Sequence, residues 1–259
     1  MRVLFAGTPE VALPALTALM DSPEHEVVGV LTRADARRGR GRGLHPSPVA
    51  ALARPAGLEV RTPATLRQAE VQDWIRSLEA DVAVVVAYGR IVPVSLLEVP
   101  VHGWLNLHFS LLPAWRGAAP VQRALIAGDD VTGACVFRLE EGLDTGPVYA
   151  RLTEAVRPTD TSGDLLERLA AAGAGLLLTT LGAVADGSVR PETQDDAAAT
   201  LAPLLTTADG LLRWQDPALA LERRVRGVTP SPGAHTTWRG VRLRLGNEEI
   251  GRASCRERV

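Results

Sequence analysis

The sequence predicts an α/β protein: a Rossmann-like doubly wound sheet, followed by a linker and a short β-rich remnant. Three observations carry this expectation. Residues 81–87 are a run of Val and Ala behind one Asp, and a strand that apolar is normally buried on both faces of a parallel sheet. Strand-like and helix-like segments alternate ahead of it, the pattern of a layered α/β domain. Beyond Gly187 the chain turns polar and Pro-containing, and only short segments remain.

The elements come in order. Residues 2–6 read as a first buried strand. Gly7-Thr8-Pro9-Glu10 then predicts a helix start, with Thr8 as N-cap, Pro9 at the first helical position and Glu10 favourable near the dipole. Residues 25–32 read as a second strand. Residues 65–79 carry Val71, Trp74, Ile75 and Leu78 at helical spacing. Residues 162–186 read as one long helix, capped by Ser162, with Leu165, Leu166 and Leu169 in its apolar stripe. A short helix is expected over 217–226. Strands are expected over 235–238 and 241–245, joined by Arg239-Gly240.

Bulk properties exclude several classes. The chain has 259 residues, enough for one large domain or two smaller ones. Net charge is -2, so a nucleic-acid partner would have to meet a local basic patch rather than the whole surface. All the basic residues are Arg, a compositional bias rather than a mechanism. Cys135 and Cys255 stand outside any metal-ligand spacing with His and make no disulfide framework, which suits a reducing cytoplasm. No metal is expected, no stretch is expected to reach a membrane span, and a monomer is expected. A classical dinucleotide site is disfavoured, because the first strand is followed by Ala6-Gly7-Thr8-Pro9 and not by a Gly-x-Gly-x-x-Gly pattern.

In open α/β sheets the ligand lies beyond the carboxyl ends of the strands. The loops expected there are Gly7-Thr8, Tyr88-Gly89-Arg90 and the stretch from Asn106 to Pro113. Asn106 and His108 are two apart, a spacing that points both side chains to one side of a strand. Asp144 comes 36 residues after His108, within Gly142-Leu143-Asp144-Thr145-Gly146. An amide, an imidazole and a carboxylate suit acyl transfer to an amine. The amide can hold an oxyanion, the imidazole can shuttle a proton, and the carboxylate can orient the imidazole and raise its pKa. Taken singly, each residue has a bland reading: a satisfied polar residue at a strand end, or a turn.

Together, and with Ser110-Leu111-Leu112-Pro113 attached, they resemble the signature of the N10-formyltetrahydrofolate-dependent formyltransferases. The likeness extends over about residues 2–249. It includes Phe5-Ala6-Gly7-Thr8-Pro9-Glu10, Val86-Ala87-Tyr88-Gly89 and Asp160-Thr161-Ser162-Gly163. Its most specific part, Trp115-Arg116-Gly117-Ala118-Ala119-Pro120, is similar to the branch of the family that acts on methionyl-tRNA. The resemblance implies transfer of a formyl group from 10-formyltetrahydrofolate to the α-amino group of methionyl initiator tRNA, in the cytoplasm. It implies Asn106, His108 and Asp144 as the catalytic set. It places the folate along Ser110, Leu111, Leu112, Pro113, Tyr88 and Gly89. It departs at Phe109, where the family usually has a small residue; the ring would either crowd the folate or point into the core. Leu201 and Leu204 depart from the family's linker, and Arg213 departs from the domain beyond it.

Residues 33–43 hold five Arg against one Asp. Alone, such a segment reads as a solvated loop. The resemblance places here a loop that enters the tRNA acceptor stem, with Arg40 and Arg42 at its basic positions, where Arg can pair with phosphate and stack on bases. The implied organisation is a formyltransferase catalytic domain over 1–188, a linker over 189–204, a partial C-terminal tRNA-binding β-barrel domain over 205–249, and a non-native tail over 250–259. The expectation is a chain truncated within that barrel, loosely attached beyond about residue 205. The alternatives are a formyltransferase acting on a small amine, such as an amino sugar or glycinamide ribonucleotide, and a non-catalytic RNA-binding module.

Overall fold

A computed structural model describes residues 1–38 and 43–245 of the chain. Arg40, Arg42 and the expected tail over 250–259 lie outside the described residues, as does Cys255. In chain order the elements are β1 (Arg2–Gly7), α1 (Leu13–Asp21), β2 (Glu26–Leu31), β3 (Ala36–Arg38), β4 (Gly43–His45), α2 (Pro48–Ala53), β5 (Val60–Arg61), α3 (Ala69–Ser77) and β6 (Val82–Val86). Then come α4 (Val94–Leu97), β7 (Trp104–His108), α5 (Pro120–Ala127), β8 (Val131–Arg138), β9 (Val148–Ala155), α6 (Ser162–Ala185), α7 (Ala218–Val228), β10 (Ala234–Trp238) and β11 (Val241–Leu245).

Among the described residues the main sheet has seven strands in the order β5-β2-β1-β6-β7-β8-β9. The first five are parallel, and β8 and β9 add on antiparallel. The order reverses at β1, so the carboxyl ends of β1, β6 and β7 flank a crevice, as a doubly wound sheet requires. Side-chain alternation sorts the core into two layers. Val3, Phe5, Val84, Leu105 and Leu107 face α1 and α6. Leu4, Ala6, Ala83, Val85 and Trp104 face α3, whose Val71, Trp74 and Ile75 are buried as the helical spacing predicts.

The structure corrects the helix starts. Thr8 caps nothing: the chain makes one 3-10 turn at Glu10–Ala12 before α1, and the Thr8 hydroxyl donates to the Tyr88 carbonyl at 3.1 Å. The hydroxyl thereby ties two crevice loops together. At α6 the N-cap is Thr161, whose side chain accepts from the Asp164 amide while Asp164 accepts from the Thr161 amide. Ser162 is the first helical residue and donates to the Thr229 carbonyl at 2.6 Å. α6 has 24 residues, and an 18-residue stretch of it has a mean hydropathy of 1.5, so by length and composition alone it could cross a bilayer, against the expectation that no stretch would. Here Leu165, Leu169, Leu177 and Leu181 bury against the sheet.

Residues 189–204 join the two parts but are not a free tether. Val148 exchanges two backbone hydrogen bonds with Glu192, and Arg116 bonds both Thr200 and Ala202. Beyond residue 205 the attachment is firmer than expected for α7 and for the start of β10, and loose only at the outer end of the last hairpin. Leu212, Leu221, Val225, Val228 and Ala234 form one buried cluster with Ile126 of α5 against it. By contrast Trp238, Val241 and Leu243 are exposed on the paired β10 and β11.

Candidate active site

The site is built at the carboxyl end of β7. Leu105 and Leu107 face the α1/α6 layer, so Asn106 and His108 project from the opposite face of the strand. Asn106 is half-buried between Val85 of β6 and Phe137 of β8. His108 pairs with Cys135 and is buried, 6% exposed. Its ring meets Phe137 edge-on, with centroids 6.1 Å apart.

Asp144 comes from the connection between β8 and β9, an antiparallel pair whose strands are not among those expected from the sequence. Its backbone is left-handed, with φ 52°. Its Oδ2 accepts the Gly117 amide proton at 2.7 Å and lies 3.9 Å from His108 Nδ1. The carboxylate is 13% exposed. The expected trio is therefore assembled from two separate segments, with Asp144 held by a backbone amide that no sequence pattern assigns.

Burial holds the His108 pKa below its ordinary value of 6.5, against opposing contributions from Asp144 and the Trp115 carbonyl. The expectation that Asp144 would raise it is right for that interaction, but desolvation of the imidazolium wins. His108 is therefore neutral near pH 7. The 3.9 Å gap to Asp144 is too long for a hydrogen bond and of a size that a water or an amine can bridge. Burial also pushes the neighbouring Cys135 thiol up to about 12, which removes it as a nucleophile.

The expected folate segment runs straight on from His108. Ser110 is fully buried and donates to the Ala114 carbonyl at 2.6 Å, which closes the turn. Leu112 packs with Cys135, Phe137 and Val148, whereas Leu111 and Pro113 are partly exposed. Phe109, the departure, is 6% exposed and buried in the α1/α6 layer, so the ring points into the core and away from the face of Asn106 and His108. Tyr88 also faces a core, among the α3 layer, and burial raises its phenol to about 12. Gly89 beside it has φ 75° with open space at its Cβ position.

The segments flanking Arg40 and Arg42 pair as an antiparallel hairpin, Ala36 opposite His45 and Arg38 opposite Gly43. No group of three His, Cys, Asp or Glu suited to a metal occurs among the described residues. A cavity of about 980 Å³ lies between α1 and α6 and includes none of these site residues. Its position does not bear on the chemistry at His108.

Residues 1–181 match the family described as formyl transferase, and residues 204–255 match its C-terminal domain. The methionyl-tRNA formyltransferase of Salinispora arenicola (strain CNS-205) is 61% identical over 246 residues, covering 95% of this chain and 80% of that protein. A sugar N-formyltransferase from Shewanella sp FDAARGOS_354 superposes with a TM-score of 0.73 at 15% identity, covering 95% and 96% of the two chains. A sugar 3N-formyl transferase solved in the presence of dTDP and 5-N-formyl-THF gives 0.67 at 12% identity, covering 94% and 84%. At these identities the two structures speak for the fold alone.

Proposed function

The chain belongs to the formyl transferase family, and from that premise we propose that it transfers the formyl group of 10-formyltetrahydrofolate to the α-amino group of methionyl initiator tRNA. The observation that carries the choice of acceptor is the likeness to the Salinispora methionyl-tRNA formyltransferase across nearly the whole chain. The likeness to sugar-acting enzymes extends to the fold only. Protein synthesis places the reaction in the cytoplasm.

The amine attacks the formyl carbon, the carbonyl oxygen becomes an oxyanion, and the amine must shed a proton. Asn106 donates its amide to that oxyanion without titrating. Neutral His108 takes the proton at Nδ1, directly or through a water, and the resulting imidazolium is stabilised by Asp144 3.9 Å away. The C–N10 bond then breaks and the proton passes to N10 of the departing folate. The donor lies along Ser110, Leu111, Leu112 and Pro113 and against the Tyr88-Gly89 backbone. Arg40 and Arg42 contact acceptor-stem phosphates, the local patch that a chain of net charge -2 needs.

The deciding experiment offers the enzyme charged initiator tRNA beside an amino sugar and glycinamide ribonucleotide, with 10-formyltetrahydrofolate as donor. Formyl-methionyl-tRNA is the expected product. Faster transfer to either small amine would overturn the assignment of acceptor.

A further inference from the structure

The segment between the two parts of the chain carries Gln194, a buried amide with all four of its hydrogen-bonding positions taken. Its Nε2 donates to the carbonyls of Asp144 at 2.8 Å and Gly146 at 2.7 Å. Its Oε1 accepts from Arg116 Nε at 3.0 Å and from Arg116 Nη2 at 2.9 Å. The orientation is forced: carbonyls only accept and a guanidinium only donates, so the amide cannot be flipped. Gln194 is 7% exposed and Arg116 is 6% exposed. Arg116 also pairs with Asp196 at 2.7 Å, two residues further along the same segment.

This amide touches both halves of the site. One end clamps the main chain on either side of Thr145, directly behind the left-handed backbone of Asp144. The other end holds Arg116, whose neighbour Gly117 supplies the amide that binds the Asp144 carboxylate. Gly117 is itself pressed against the segment: a Cβ there would meet the Ala202 carbonyl at 2.7 Å. Asp144 is thus held at its backbone and at its carboxylate by groups that converge on one side chain.

Resting on the formyl-transfer reading above, we propose that Gln194 is a positioning residue for that reaction. By bridging the Arg116 guanidinium and the carbonyls of Asp144 and Gly146, it sets the distance between Asp144 and His108. The segment over 189–204 is then a wall of the active site as well as a connector. Buried polar groups of this kind act as a unit, because a partly satisfied set is worse than none. Besides Asp144, the strands beside His108 carry Cys135 and Arg138 on β8 and Tyr149, Arg151 and Glu154 on β9, and Arg116 lies on the loop after β7; of these, Cys135 pairs with His108 and Arg151 pairs with Cys135. Gln194 itself bonds the Asp144 carbonyl directly.

Two substitutions separate positioning from simple anchoring. Gln194→Glu keeps both bonds from Arg116 but turns an oxygen toward two carbonyls. Gln194→Ala removes both ends. If Gln194 positions Asp144, both variants lose about 10–100-fold in kcat, the usual cost of disturbing a group that orients a catalytic residue, with KM for charged tRNA little changed. In both, the NMR titration of the His108 ring moves to lower pH, because Asp144 no longer opposes the effect of burial. Wild-type kcat and an unmoved His108 titration in Gln194→Glu would overturn the proposal and reduce the residue to an anchor for Arg116. If Gln194→Ala fails to fold, the isosteric Gln194→Glu decides alone, with donor binding as the check on its fold. The His108 titration does not depend on the acceptor. A wild-type enzyme that formylates a small amine would sink the tRNA reading and leave the positioning role to be judged on that titration.

Discussion

The Nε2 of His108 lies 3.1 Å from the carbonyl oxygen of Trp115. A carbonyl can only accept, so Nε2 carries the proton and Nδ1 presents its lone pair on the side of Asp144. Trp115 is held at two further points, its amide donating to Thr200 Oγ1 and its indole to Asp129 Oδ2, both at 2.8 Å. A backbone group that cannot rotate away therefore fixes the tautomer of the imidazole. Under the proposed mechanism, the atom that takes the proton is aimed before substrate arrives.

The first expectation rests on this aim. His108→Ala and Asp144→Ala each lower kcat by about 10²–10⁴-fold, the range for loss of a positioned proton-transfer group. Binding of 10-formyltetrahydrofolate changes little, because neither side chain is needed to hold the donor in the ground state. Single-turnover kinetics and donor titration measure the two quantities separately. A variant that turns over at the wild-type rate would remove the residue from the mechanism.

The pH dependence has a definite sign. The folded pKa of His108 is lowered from 6.5, so its neutral form is the one populated at neutral pH. The kcat/KM profile therefore rises with pH along an acidic limb that lies below 6.5. Asp144→Asn removes the interaction that raises the pKa, so the limb moves to still lower pH while the plateau falls. Linkage gives a parallel effect on stability. The contribution of the buried neutral ring is fully present above 6.5 and is lost as pH falls from there toward the folded pKa. A limb that moves upward in Asp144→Asn would contradict the geometry.

One half of this architecture is readable in the sequence and the other half is silent there. The Val-rich strand β6 is legible because burial on both faces makes it an unbroken apolar run, and the stripe of α3 because burial of one face imposes a period of 3.6. Asn106 and His108 are legible because they are two apart on one strand. Thr8 reads as a cap, yet its hydroxyl finds the Tyr88 carbonyl, 80 residues away, a contact no local rule contains. The net sign of the His108 shift depends on desolvation, which is a property of the assembled site. Gln194 lies within a polar, Pro-containing stretch, and nothing in its neighbours says that both ends of its amide are buried. The supports of the site, the Trp115 carbonyl and the Gly117 amide, are backbone groups of a kind that residue identity does not mark.

Phe109 gives a test of packing against function. The ring is buried with α1 and α6 on the side of β7 away from His108. Phe109→Ala should cost about 3–4 kcal/mol in unfolding free energy, the range for a buried aromatic truncated to a cavity. Donor affinity should stay within about twofold at a temperature where the variant is folded, since the lost atoms do not face Asn106. Chemical denaturation and donor titration check the two halves. A variant that keeps its stability and binds folate tighter would mean that the ring crowds the donor after all.

The Arg segment is tested by salt. Arg42→Ala should weaken binding of charged initiator tRNA and lower the slope of log K against log salt by about 0.7–0.9, the release expected for one phosphate contact. Donor binding should not change. Binding measured from low to moderate salt gives both quantities. An unaltered slope with unaltered affinity would return residues 33–43 to the role of a solvated surface loop.

The last expectation concerns the segment that walls the site. The Arg116 amide donates to the Thr200 carbonyl at 2.8 Å and the Ala202 amide to the Arg116 carbonyl at 2.7 Å, while the Val148 and Glu192 amides bond each other's carbonyls at 2.8 Å. Amides closed in this way exchange only when the segment lifts off. Hydrogen exchange should therefore show Val148, Glu192 and Ala202 protected to a similar degree, because one opening event frees them all. The turn at Arg239-Gly240, between two strands with exposed Trp238 and Val241, should exchange much faster. Gln194→Ala should speed exchange at Glu192 and Ala202 together and leave the β6 core unaffected. If the segment exchanges as fast as the Arg239 turn in the wild-type protein, it is a tether in solution. The hydrogen bonds from Gln194 would then be too short-lived to hold Asp144 in place.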